Sequence, residues 1–180
     1  MLVVAATQRE LELVAAAETL CCGIGPVEAA IATARTLAEA TPRAILNIGI
    51  AGARDLEPPA LVLGSESVYS DLVDPGSMLA RVERLEPDPR LLAAARAALP
   101  DAHVLPIATS ANLGGARGYE VEAMEGFAVL RAAALAGVPA LELRAISNAP
   151  DETDRSRWRI ADALEALRDA VQRLLEALDA

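Results

Sequence analysis

VEAMEGFAVLRAAALAGVPALELRAISN, residues 121–148, is the stretch on which the fold turns. Apolar positions recur with a helical period over MEGFAVLRAAALAG (124–137), and Gly137 supplies a natural stop. A continuous apolar run, VPALELRAIS (138–147), then reads as a strand buried on both faces. Helix followed at once by buried strand is the repeating unit of an α/β fold. Arg144 lies inside that apolar strand and needs a partner there, for which Glu125 at the helix start is the natural candidate. Taken alone, Glu125 would be explained as a carboxylate favoured by the helix dipole, and the pair as a structural one. Asn148 falls at the C-terminal end of the strand, where α/β proteins place their ligands.

The rest of the chain continues the alternation. Strands are predicted over LVVAAT (2–7), ETLCCGI (18–24), AILNIGIAGA (44–53), ALVLGSESVYS (60–70) and HVLPIATSA (103–111). Helices are predicted over 8–17, 26–40, 89–99 and, as a long amphipathic helix opened by Trp158, 158–178. Residues 71–87, 112–118 and 148–157 read as irregular or polar loops. Neither a repeat nor a linker divides the chain. The expectation is one α/β domain over 1–180, a mixed twisted β-sheet of about six strands flanked by helices.

Composition narrows the function. Of 180 residues 53% are hydrophobic, which excludes disorder, and no apolar run approaches the ~20 residues of a membrane span. A net charge of −10 and few aromatic residues argue against nucleic acid as a partner. The first residues carry no basic segment, so no signal peptide is read. Cys21 and Cys22 are adjacent, which disfavours a disulfide or a metal site, and both are expected to pack as small apolar residues in a reduced, cytoplasmic protein.

Gly23-Ile24-Gly25 after a strand invites a dinucleotide reading. However, Glu28 stands where the third glycine belongs, and the chain has no lysine for a P-loop. A tight strand-to-helix turn is the better account, and no cofactor is called for. Asp151, Glu152 and Asp154 read as a solvated loop rather than a metal cluster, and His103 as a surface residue.

MEGFAV, GVP and RAISN, with NIGIAGA and CGIGPVEAAIAT upstream, resemble the nucleoside phosphorylase and nucleosidase superfamily in the superfamily's own order. Within it the chain is similar to the hydrolytic branch: the methylthioadenosine/adenosylhomocysteine nucleosidases and, more closely through RAISN and Trp158-Arg159-Ile160, the futalosine hydrolases. The hairpin before Gly-Ile-Gly and the loop after Gly52 are compressed relative to that family.

The resemblance implies hydrolysis of a purine N-glycosidic bond, with a small nucleoside as partner. For the closer branch it implies removal of hypoxanthine from futalosine on the route to menaquinone. Adenine nucleosidase, phosphorylase and silent nucleoside binder remain as alternatives. It also implies roles: Glu10, rather than Glu12, activates the attacking water; Met124 packs on the ribose and Glu125 binds its hydroxyls; Arg144 helps hold the water; Asn148 meets the N7 edge of the base. Ile50, Ala51 and Gly52 would line the site, with Tyr69 near the sugar. Ile50 departs from the serine usual in adenine-specific relatives. Phosphorylases of the superfamily carry a Gly-Asp-Pro-x-x-Arg type of loop where this chain reads Thr7-Gln8-Arg9-Glu10, which points to water as nucleophile. A homo-oligomer, most simply a two-fold dimer, is expected from the resemblance and from the high apolar content.

Overall fold

The structure is a computed structural model and describes residues 1–12, 14, 17–74, 76 and 78–179. Its strands are β1 (Leu2–Ala5), β2 (Glu18–Cys21), β3 (Ile45–Ala53), β4 (Leu61–Tyr69), β5 (Arg84–Leu85), β6 (His103–Thr109), β7 (Val121–Ala123) and β8 (Ala140–Asn148). The helices are α1 (Gln8–Leu11), α2 (Pro26–Glu39), α3 (Pro89–Ala98), α4 (Gly126–Ala136) and α5 (Ile160–Asp179), with a 3₁₀ turn at Arg155–Arg157.

The sheet is mixed, as expected. β1 lies between β2 and β3, parallel to both, and β3 runs parallel to β8. β8 pairs antiparallel with β4, β4 parallel with β6, and β6 parallel with β7. β7 then returns antiparallel to β3 through Gly52–Glu122 and Ala53–Val121. The strands β3, β8, β4, β6 and β7 therefore close a ring, with β2–β1 extending from β3 and β5 edging β4. About six strands was an undercount. β5 and β7 are two and three residues long, too short to show an alternation in sequence.

Two apolar layers cover the sheet. α5 presents Ala163, Leu167, Ala170, Val171 and Leu174 to the face that also receives α3. This i, i+4, i+7 spacing is what a core-facing helix requires. On the other side α2 and α4 pack together over Val4, Ile45 and Ala140. Gly137 ends α4 in the left-handed conformation, as its sequence position predicts.

Some boundaries differ from expectation. α4 starts at Gly126 rather than Met124, because Glu125 takes non-helical dihedrals before it. Trp158 precedes α5 rather than opening it. The helix expected over 8–17 is regular for Gln8–Leu11, while 13, 15 and 16 lie outside the described residues.

Candidate active site

The two glycines of Gly23-Ile24-Gly25 both have positive φ, 83° and 92°, which makes the segment the tight turn expected of it. Gly25 caps α2, and its free backbone N–H donates to Glu125 Oε1 at 3.0 Å. Glu125 occupies the N-cap position of α4, where the dipole favours a carboxylate, but its side chain makes no hydrogen bond to that helix. Thr109 Oγ1 instead accepts from the Phe127 N–H of that helix, at 2.8 Å. Glu125 Oε2 turns toward Arg144 Nη1, 3.7 Å away, and the expected pair is present.

Arg144 has closer partners that sequence reading missed. Its Nε donates to Glu142 Oε1 at 2.9 Å and its Nη2 to Asn47 Oδ1 at 2.8 Å, while Asn47 Nδ2 donates to the Val4 carbonyl. Glu142 and Arg144 are two residues apart on β8, so they share a face, and β3 sets Asn47 opposite Glu142 and Gly49 opposite Arg144. Two glycines make room for the cluster. A Cβ on Gly49 would overlap the Arg144 guanidinium, and one on Gly126 would overlap the Glu142 carboxylate. Glu142 is fully buried, and among the described residues its Oε2 has no hydrogen-bond partner. The alternation Glu-x-Arg inside an apolar strand, with Asn47 inside another, was the available signal.

Glu10 approaches from the side of α1. Its Oε2 accepts from both the backbone N–H and the hydroxyl of Thr7, at 3.0 and 2.7 Å, closing a capping box with Glu10 at N3. Its Oε1 accepts from Ile50 N–H at 3.1 Å. With these three donors, the carboxylate keeps about one of its roughly four lone-pair sites. Glu12 is exposed and lines no part of the cavity described next.

Glu10 and Glu125, each about 5% exposed, border a cavity of about 510 Å³. Met124, Ile50, Ala51, Gly52 and Asn148 line it, as the sequence reading expects. Arg144 does not: it is 1% exposed and stands behind the carboxylates. Tyr69 is also absent from the lining, its ring stacked on Phe127 with centroids 5.3 Å apart. Arg9, Arg155, Trp158 and Leu113 complete the open side. The loop bearing Leu113 is held by Glu122 of β7, whose carboxylate accepts from the N–H groups of Gly114 and Ala116.

Asn148 is held at both ends of its amide. Nδ2 donates to the Ala149 carbonyl at 2.8 Å, and Oδ1 accepts from Ser147 Oγ at 2.7 Å. A carbonyl only accepts, so the amide orientation is fixed. One N–H and one oxygen lone pair remain for a ligand.

Burial raises the Glu125 carboxyl above its ordinary range, with Glu10 and Glu142 adding to the rise and Arg144 and the Gly25 N–H opposing it. Burial and then the charge of Glu125 push the Cys22 thiol up to about 12. Cys22 packs in the apolar core as expected, but Cys21 is exposed, and both are free. His103 is exposed at the start of β6. Asp154 caps the 3₁₀ turn and Glu152 pairs with Arg157. Among the described residues no helix is long and apolar enough to cross a membrane.

A closed mixed sheet thus carries buried carboxylates bordering a cavity at its strand ends, and the sequence itself matches a known family. Residues 19–180 match the Phosphorylase superfamily, and the chain belongs to it. More particularly, it is 37% identical over 187 residues to the futalosine hydrolase of Streptomyces coelicolor, covering 90% of this chain and 80% of that one. A shorter match, 48% over 58 residues, joins it to the futalosine hydrolase of Thermus thermophilus, covering 32% of this chain and 26% of that one. In fold it is similar to the 5′-methylthioadenosine/S-adenosylhomocysteine nucleosidase of Colwellia psychrerythraea, solved with adenine. The TM-score there is 0.85 at 21% identity, over 98% of this chain and 94% of the other.

Proposed function

We propose that this chain is a futalosine hydrolase, which splits the N-glycosidic bond of futalosine with water, releasing hypoxanthine and leaving a hydroxyl on the ribose anomeric carbon. The observation that carries the choice of base is the fixed amide of Asn148. Its free N–H complements O6 of a 6-oxopurine, and its free lone pair accepts N7–H once the departing base is protonated there. Adenine would set its 6-amino group against the amide donor. The sequence relation to the Streptomyces coelicolor enzyme supports the same substrate.

Bond cleavage places positive charge on the ribose, and carboxylates beside the sugar stabilise it. Glu125 accepts from the ribose hydroxyls while Met124 packs on the ring. A water lies against the remaining lone pair of Glu10, gives it a proton and bonds to the anomeric carbon as the base leaves with the bond electrons. The base takes a proton from solvent at N7, and Glu10 returns its own to solvent. General-base help of this kind contributes about 10²–10⁴ in rate. Arg144, fixed by Glu142 and Asn47, steadies the Glu125 carboxylate from behind. Tyr69 acts at one remove, supporting Phe127 at the start of α4.

Chromatography of futalosine, inosine and methylthioadenosine, each with and without phosphate, tests the proposal. Futalosine should be consumed fastest, and phosphate should not be required. Adenine release from methylthioadenosine at a higher rate would favour the adenine nucleosidases that share the fold. Strict dependence on phosphate would make the enzyme a phosphorylase, with Arg9 on the cavity wall as its natural anion ligand. No turnover of any substrate would leave a silent binder.

The chain is also expected to work as a two-fold dimer. Ile24, Val27 and Ile31 are each at least 60% exposed and follow one another at helical spacing on and just before α2. Leu72, Val73, Met78 and Leu79 add exposed apolar surface from the loop after β4. Light scattering should give twice the chain mass at micromolar concentration, and a monomer there would refute the dimer.

A further inference from the structure

The open side of the cavity carries a feature that the hydrolysis of the glycosidic bond does not use. Arg155, Arg157 and Arg159 follow one another, yet only the last two are paired, with Glu152 at 2.8 Å and Asp162 at 2.7 Å. Arg155 makes no ion pair among the described residues, although the chain has ten more acidic than basic groups. Its guanidinium instead lies over the Trp158 ring, 5.5 Å from the centroid. Trp158 is in turn tied down, its indole N–H donating to the Glu152 carbonyl at 3.0 Å. Both residues line the cavity, as does Arg9, which likewise has no ion pair among the described residues.

Charge therefore changes sign across the cavity. Glu10, Glu122 and Glu125 lie at its buried end, Ile24, Leu113 and Leu164 line its walls, and two unpaired guanidiniums stand on the exposed rim. Such a cavity accepts a molecule that is neutral at the sugar, apolar beyond it and anionic at the far end. A guanidinium fork matches a carboxylate in two parallel hydrogen bonds, and an aromatic ring beside Trp158 would stack on it.

We propose that Arg155, seated on Trp158, binds a carboxylate borne on the aromatic 5′ substituent of the substrate, with Arg9 as a second cation on the rim. This rests on the futalosine reading, since that substrate carries an aryl carboxylate at the 5′ end. The Arg155 site fixes the distal anion and so selects among nucleosides with the same base.

Two measurements test it. The first is the ratio of kcat/KM for futalosine to that for inosine, which has no 5′ anion, in the parent and in Arg155→Met, which keeps an apolar side chain of similar reach. The ratio should fall about tenfold, mainly through KM for futalosine, and the parent ratio should fall with added salt. The second uses 3-acetylbenzoate as a probe and Trp158, the one tryptophan of the chain, as reporter. The probe should quench Trp158 fluorescence in the parent, with binding about tenfold weaker in Arg155→Met, and uncharged 3-acetylbenzamide should bind no better in the parent than in the variant. An unchanged kinetic ratio in a parent that hydrolyses futalosine would overturn the site. Absence of futalosine hydrolysis together with Arg155-dependent probe binding would overturn the functional reading and keep the site. Probe binding indifferent to Arg155 would overturn the site in either case.

Discussion

The buried end and the rim of the cavity both depend on charge, and they treat it in opposite ways. At the buried end Arg144 is 1% exposed and is met by Glu142, Asn47 and Glu125, all fixed on strands or at a helix start. At the rim Arg155 is exposed, and among the described residues its guanidinium meets an aromatic ring and no carboxylate. Buried charge must be compensated by the protein itself, because losing one member of a buried pair costs about 3–5 kcal/mol. Exposed charge is cheap to leave unpaired, since a surface ion pair contributes only about 0.2–1 kcal/mol. The interior thus shows how the carboxylates bordering the cavity are held, and the rim shows what the protein leaves unpaired.

The strongest way to break the contrast is at the buried end. Glu10→Gln and Glu125→Gln are each expected to lower kcat about 10²–10⁴-fold while circular dichroism stays that of a folded protein. Parental turnover by Glu10→Gln would remove it as the water's base. Glu142→Ala should lower stability by about 3 kcal/mol in urea unfolding, because Arg144 loses its nearest carboxylate. A midpoint within error of the parent would mean that Asn47 and Glu125 suffice to compensate the arginine.

Asn148→Asp sharpens the comparison in the middle of the cavity. The parent should prefer futalosine over its 6-amino counterpart by about tenfold to a hundredfold in kcat/KM, the cost of an unmatched buried polar group. The variant should erode or reverse that preference. Equal values in both proteins would end the role given to the amide.

The smallest expected effect is in pH. Glu125 acts as a carboxylate, and its folded value is raised by burial, so the acid limb of kcat/KM should lie above the ordinary carboxyl value of 4.5. Stability moves the other way. A carboxyl with a raised folded value is least costly when protonated, so its contribution is present below the unfolded value and is lost as pH rises through the folded one. Thermal melts across that window should show Glu125→Gln gaining on the parent as pH increases. A limb at or below 4.5 would mean that Arg144 and the Gly25 N–H outweigh burial.

Long elements and local turn chemistry were legible in the sequence: the buried strands β3 and β8, the amphipathic α5, the stop at Gly137 and the turn at Gly23-Ile24-Gly25. The family resemblance also brought Glu10, Glu125 and Asn148 to one cavity, together with the Ile50–Gly52 backbone. What sequence reading missed depended on register. That Asn47 stands opposite Glu142, and that Gly126 leaves room for its carboxylate, follows from strand pairing and helix placement rather than from any run of residues. The resemblance sets Arg144 at the water, whereas the packing buries it outside the cavity lining. The resemblance sets Tyr69 near the sugar, and the structure stacks its ring on Phe127 at the start of α4, a contact that helix placement settles.

The three residues of β7 also give the domain its seam. Val121 and Glu122 join the ring to β3, Glu122 secures the loop over the cavity, and Met124 and Glu125 follow immediately. Closure of the sheet and assembly of the site therefore share one short strand, paired with β3 through two residues and with β6 through three. A ligand gripping Met124 and Glu125 would act as a rivet across that seam, because whatever binds only the closed form draws the opening equilibrium toward it. Backbone amides of β7 would then report occupancy of a cavity they do not themselves fill, through slower exchange with solvent.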